Sequence, residues 1–126
     1  MIKIGNTASN ISVYSCQPKT KEDLISIIKD RIYKEEVNCD LNDIDTSEIT
    51  DMSHLFYNSR FNGNISRWDV SKVRDMSGMF NNSKFNKDIS KWKIRKGCNI
   101  KRMFDYCPIR KDYMPVLPED YKPKQL

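Results

Sequence analysis

Seven basic residues, Lys93, Arg95, Lys96, Lys101, Arg102, Arg110 and Lys111, fall within 19 positions towards the end of the chain, opposed by Asp105 and Asp112. A cluster of this kind can track phosphates or meet an acidic protein surface, and Tyr106 and Tyr113 are placed to supply base stacking. No recognition-helix, zinc-finger or RNA-binding signature accompanies it, and a solvated, solubilising end is the competing reading. A second arrangement is spread more widely. Asp43, Arg67 and Lys91 recur at intervals of 24 residues, as do Asp45, Asp69 and Lys93. If the chain brings each set into register, two rows form that grade from acidic to basic, a dipolar strip for a partner. The plainer reading is a solvated face whose charges pair along the row, Asp43 with Arg67 first.

Other chemistry has less to stand on. The single histidine, His54, has no partner motif, and no nucleophile elbow, Gly-rich phosphate loop or zinc-protease helix is present. Cys16, Cys39, Cys98 and Cys107 form no Cys-x-x-Cys pair, and one histidine completes no convincing zinc site. Neither an enzyme, a metal site nor a cofactor is expected. Cys107 is expected to be buried and Cys98 exposed.

What must position the charged rows is an internal repeat. Residues 45–68 and 69–92 agree at Asp51/Asp75, Met52/Met76, Phe56/Phe80, Asn58/Asn82, Phe61/Phe85, Asn62/Asn86, Ile65/Ile89 and Trp68/Trp92, among others. A period in this range builds units that bury their apolar residues only by stacking on one another. Counting back from Ile65 and Trp68 reaches Leu41 and Ile44, half of an initial unit. Counting forward from Met79-Phe80 reaches Met103-Phe104, a third and degraded unit. Trp68 and Val70, two apart, share one face of a short strand, and Met76, Met79 and Phe80 make one stripe of a short helical turn with Asp75 at its N-cap. Asn58/Asn82 and Asn62/Asn86 read as side-chain ladders that satisfy turn amides between units. Upstream, Leu24, Ile27, Ile28 and Ile32 recur at helical spacing behind Thr20, an N-cap, which predicts an amphipathic capping helix from about Lys21 to Glu36.

The phrases Trp68-Asp69-Val70-Ser71, Asp75-Met76-Ser77-Gly78-Met79-Phe80 and Phe85-Asn86-Lys87-Asp88-Ile89-Ser90-Lys91-Trp92 resemble the BspA-like class of leucine-rich repeats, as found in bacterial surface proteins and mycoplasma-type lipoproteins. The resemblance covers about residues 39–108. It implies an α/β solenoid: a short right-handed array with a small parallel sheet on one face and short helical turns on the other. The sheet face is the usual binding surface of that class.

The expected organisation is an N-terminal extension over residues 1–19 with a weak strand pair (Ile2, Ile4, Ile11, Val13), the capping helix over 20–38, the array over 39–108 and a Pro-containing tail over 109–126. A chain of 126 residues with 38% apolar content and a net charge of +5 suits one thin-layered domain. No apolar run is long enough for a membrane span and no secretory leader is visible, so a cytoplasmic protein with reduced cysteines is expected, or a cell-surface one if the sequence is a piece. The expectation for function is a non-enzymatic binding module that meets another protein through Asp43, Asp45, Arg67, Asp69, Lys91 and Lys93, and through the basic end at Arg95, Lys101 and Arg102. Nucleic-acid binding through that end, inhibition of a host defence complex by a phage or mobile-element protein, and a fragment of a surface adhesin are the alternatives. The oligomeric state is open.

Overall fold

The computed structural model describes residues 14–125. The strand pair read from Ile2, Ile4, Ile11 and Val13 therefore lies outside the described residues. Helix α1 spans Lys21–Glu35, and the Thr20 hydroxyl accepts the Asp23 amide at 3.1 Å. This occupies one of the first-turn donors that the helix itself leaves open. Leu24 and Ile28 are buried beneath α1, with Ile27 and Ile32 partly covered.

From Asp40 onward the chain is a succession of tight turns, many of them opened by an aspartate or asparagine. The side-chain oxygen of Asp40, Asp45, Asp51, Asn64, Asp69, Asp75, Asp88 or Asn99 accepts the backbone amide two residues ahead, at 2.8–3.0 Å. Such a contact mimics a backbone turn and fixes the chain's change of direction. The residue that follows each of these acceptors, apolar in every case but Thr46, is buried, or half-buried at Ile100. The turn closes as the carbonyl of Ile65, Val70 or Met76 takes the amide three residues on, from Trp68, Val73 or Met79.

Successive turns stack at the 24-residue period. The amides of Met76, Gly78, Phe80 and Asn82 donate to the carbonyls of Asn99, Lys101, Met103 and Asp105, and those of Met52, His54, Phe56 and Asn58 do the same one layer earlier. Every second amide thus bonds between layers. Those of Met79, Asn81 and Ser83 bond within the layer, to the carbonyl three residues back. Two columns of left-handed residues make the alternation possible: His54, Gly78 and Arg102 at φ 55–61°, and Asn58, Asn82 and Tyr106 at φ 55–58°.

This overturns the expected α/β solenoid, its parallel sheet and the leucine-rich-repeat assignment. Among the described residues there is no sheet, only isolated parallel bridges at Cys16–Ile44, Asp51–Asp75 and Asp75–Asn99. The reason is local. A residue near φ +60° every fourth position cannot belong to a strand or to a right-handed helix, so the Met76–Met79–Phe80 stripe lies on two consecutive turns. The Trp68–Val70 segment is likewise cut by turns on both sides.

The core is a set of ladders. Phe56, Phe80 and Phe104 stack with centroids 5.6 Å apart at each step, Phe61 on Phe85 at 6.3 Å and Trp68 on Trp92 at 6.4 Å. The indole N–H groups of Trp68 and Trp92 donate to the carbonyls of Leu41 and Ile65 in the preceding layer. Asn62 and Asn86 accept the amides of Asn86 and Arg110 from the next layer, whereas Asn82 donates through its side chain to that of Asn58. Beyond Ile109 the tail folds back, with a short 3₁₀ turn at Lys111–Tyr113. There the Tyr121 hydroxyl accepts the Phe104 amide at 2.8 Å and the Tyr121 ring meets that of Phe104 edge-on. At the opposite end, residues 15–17 lie along Asp43–Asp45, with Ser15 donating to the Asp43 carbonyl and Cys16 accepting the Asp45 amide.

Candidate functional site

The two charged rows do come into register, because each member occupies the same place in its layer. Asp43, Arg67 and Lys91 are the third residues of the turns closed by Leu41–Ile44, Ile65–Trp68 and Ile89–Trp92. That position points away from the buried residues on either side, and Arg67 and Lys91 are exposed. Asp45, Asp69 and Lys93 follow the inward residues Ile44, Trp68 and Trp92.

The acidic members are committed to the fold. Asp43 receives the Arg31 guanidinium of α1 through both oxygens, at 2.9 and 3.0 Å, and also the Ser15 hydroxyl. Partial burial works against its charge, but the Ser15 and Arg31 hydrogen bonds outweigh it and hold the Asp43 carboxyl below the usual range. Burial likewise opposes ionisation of Asp45, yet the Ser47 amide and Gln17 side chain pull its pKa down. Asp69 Oδ1 takes both the amide and the hydroxyl of Ser71. The anticipated Asp43–Arg67 pair does not form: Arg31, from the helix, takes that place. The row pair that does form, 24 residues apart, is Lys72–Glu48 at 3.5 Å.

The basic members have no such commitment. From Lys84 to Lys111 the chain carries ten lysines and arginines against two aspartates, Asp88 and Asp105. Among the described residues only Arg110 of these ten enters an ion pair, with Asp112. Asp105 is buried and accepts the Lys124 amide, so it faces none of them at the surface. Lys91 and Lys93 form a ridge around the buried Trp92. On one side lies a cleft of about 320 Å³ shared with Asp69, Val70 and Ser71; on the other lies one of about 370 Å³ reaching Ile94 and Val116. Arg95 is exposed just beyond, in a turn closed by the Cys98 amide on the Arg95 carbonyl.

The remaining candidates separate from this ridge. Arg67 lines a different cleft of about 320 Å³ with Tyr14, Asp40, Asn42 and Asp43. Lys101 and Arg102 are exposed one turn further along, and the clefts that hold Lys91 do not include them. Tyr113, a candidate for base stacking, carries the Arg110 guanidinium over its ring at 4.8 Å. His54 is exposed, with its ring lying over Gly78. The four cysteines are free thiols and no group of metal-ligating side chains occurs among the described residues. Cys107 and Cys98 are both half-buried, neither fully covered nor exposed; burial pushes both thiols up. No helix among the described residues is long and apolar enough to cross a membrane.

Sequence reasoning missed the contacts of α1 with the first layer, where Lys21 reaches the Ser53 hydroxyl at 2.8 Å and Asp51 at 3.7 Å. Lys21 and Arg31 were readable as helix positions but not as ones facing the stack, since long basic side chains extend back over apolar surface. A second feature was overlooked: where Asn42 and Thr46 join the first and second layers, the next layer has Ser66 and Val70.

No curated protein and no solved structure matches the chain. A family model matches residues 26–111, which takes in most of α1 and all of the stacked layers, and carries no leucine-rich-repeat or BspA-like assignment. By that match the chain belongs to the family described as Mycoplasma protein of unknown function, DUF285.

Proposed function

We propose that this protein is a non-enzymatic binding module that presents the cationic surface of its last layer to an acidic protein. One observation carries the reading: nine of the ten basic residues between Lys84 and Lys111 form no ion pair among the described residues, while the acids of the earlier layers are spent on turns and on α1. Unneutralised charge on one side of a small domain raises the encounter rate with an oppositely charged partner and sets the orientation of docking. The scaffold suits the task. Lys91 and Lys93 project from either side of Trp92, whose ring and indole N–H are both fixed, so the backbone beneath them loses little freedom on binding. A protein partner is favoured over nucleic acid because Tyr113 is occupied by Arg110, which removes one of the two rings available to a base.

The test is recovery of partners from lysate on the immobilised protein, with and without nuclease, beside a Lys91→Glu/Lys93→Glu variant. Nuclease-insensitive recovery that the variant loses is the expected result. Equal recovery by both proteins removes the cationic face as the docking surface, and loss on nuclease treatment replaces the protein partner by nucleic acid.

A further inference from the structure

The repeat is interrupted at one joint, and the interruption leaves two backbone amides without the acceptors that serve their counterparts one period earlier. Between the first and second layers, the Thr46 hydroxyl accepts the Asp69 amide at 3.0 Å and donates to the Asp69 carbonyl at 2.9 Å, while Asn42 Oδ1 accepts the Arg67 amide at 2.8 Å. One period later the bridging residues are Val70 and Ser66, and the amides they would serve are those of Lys93 and Lys91. Neither amide has an acceptor among the described residues. The cleft of about 320 Å³ between Trp68–Ser71 and Lys91–Lys93 lies at this joint. Lys93 also departs from its column: Asp45 and Asp69 open a turn there, and Lys93 has no oxygen with which to do so. Two departures from the repeat, each giving up a structural hydrogen bond, converge on one cleft that gains two ammonium groups. Local rules are broken in this way where function, not folding, selects the residue.

We infer that this cleft is a carboxylate-binding site, taking an aspartate or glutamate side chain of an acidic polypeptide onto the Lys91 and Lys93 amides with the two ammonium groups closing over it. The inference rests on the cationic-face reading above and names what that face grips. Backbone amides reinforced by lysine charge are the donor set that a carboxylate needs, and an ionised acceptor roughly doubles the strength of each hydrogen bond. Asp69 is the one acid lining the cleft. Its Oδ1 is turned to Ser71, and the two ammonium groups exceed its charge. What remains once Asp69 is offset is a single net positive charge, which matches an isolated carboxylate better than the denser charge of a phosphate chain.

The experiment measures binding of a fluorescent hexaglutamate peptide to the full chain at low salt by anisotropy. It is paired with amide NMR spectra, and a hexathymidylate oligonucleotide serves as the rival probe. Lys91→Gln/Lys93→Gln should weaken peptide binding by about tenfold. Two variants that rebuild the missing bridges, Val70→Thr and Ser66→Asn, should each weaken it by at least about threefold while leaving every charge in place. Val70 is buried, so its threonine variant is first checked for an unchanged melting curve. Ser66 is half-buried and lies outside the cleft lining, so it tests the same joint without touching the core. The amide resonances of Lys91 and Lys93 should move most on titration. If the glutamine variant weakens binding but neither bridge-restoring variant does, the cleft is overturned and the cationic face survives. If none of the three weakens it, both readings fall. Tighter binding of the oligonucleotide than of the peptide overturns the carboxylate as ligand.

Discussion

Gly63 tolerates no side chain. A Cβ built there would lie 1.9 Å from the Cys39 carbonyl oxygen and 2.7 Å from the Phe61 ring. The first contact is with backbone, so Gly63→Ala has to displace the junction between α1 and the first layer, where the Asn62 amide donates to the Val37 carbonyl. The expected cost is above about 2 kcal/mol, read as a lower urea midpoint. Gly78 is constrained differently. Its φ of +61° strains any other residue, and an added Cβ would meet the His54 ring at 2.6 Å. Gly78→Ala should cost about 1–2 kcal/mol, and adding His54→Ala should recover the steric part and not the conformational part. Full recovery in the double variant would show that the ring contact alone made glycine necessary. Neither requirement was legible in the sequence, where Gly63 aligns with Lys87 and Gly78 with His54 and Arg102. The period located the two glycines in their columns; only the geometry shows that one answers to a carbonyl and the other to a dihedral angle.

At the scale of elements, the repeat period and the aromatic columns were legible because stacking demands equal volumes at equal spacing. The type of element was not. Met76, Met79 and Phe80 have the spacing of a helical stripe, and an aspartate just before an apolar residue is as good a helix N-cap as it is the opening of a turn. The signal that separates the two is the serine two positions after the acid, as in Asp51-Met-Ser53, Asp69-Val-Ser71 and Asp75-Met-Ser77, repeated within each layer at intervals too short for helices. Asp75 illustrates what the turn requires, accepting both the amide and the hydroxyl of Ser77, at 2.9 and 2.6 Å. Asp75→Ala should destabilise by about 1–2 kcal/mol, with Asp75→Asn restoring most of it, since an amide oxygen also accepts. Equal loss in both variants would place the stabilisation in the charge. The tail yields a matching prediction. Tyr121→Phe keeps the ring against Phe104 but leaves the Phe104 amide without its acceptor, at a cost of about 1–3 kcal/mol. A midpoint unchanged from the parent protein would show that the tail holds by apolar contact alone.

For the whole molecule, the division of charge separates folding from binding. The acids of the first layer hold α1 and the turns, and the bases of the last layer are left over. Asp43, Asp45 and Asp51 illustrate the first half. Partial burial opposes their ionisation, but hydrogen bonds from Ser15 and Arg31, from Ser47 and Gln17, and from Ser53 and Lys21 prevail and lower all three pKa values. A carboxylate whose pKa falls on folding contributes stability that is fully present above its unfolded value of about 3.9 and disappears as pH drops through the folded value. The melting temperature should therefore hold nearly level from neutral pH to about 5 and fall steeply below about 4. Below that point self-repulsion among the uncompensated lysines and arginines adds to the loss. Asp43→Asn separates the two contributions. At neutral pH it should melt below the parent protein, because Arg31 and Ser15 then face an uncharged amide. As the medium is acidified, Asp43 of the parent becomes protonated and the two melting curves should converge. Repulsion from the last layer acts on both proteins alike and cannot produce that convergence. A gap that persists unchanged through the acid limb would mean that Asp43 acts through the shape of its turn, and that the charge linking α1 to the stack is carried elsewhere.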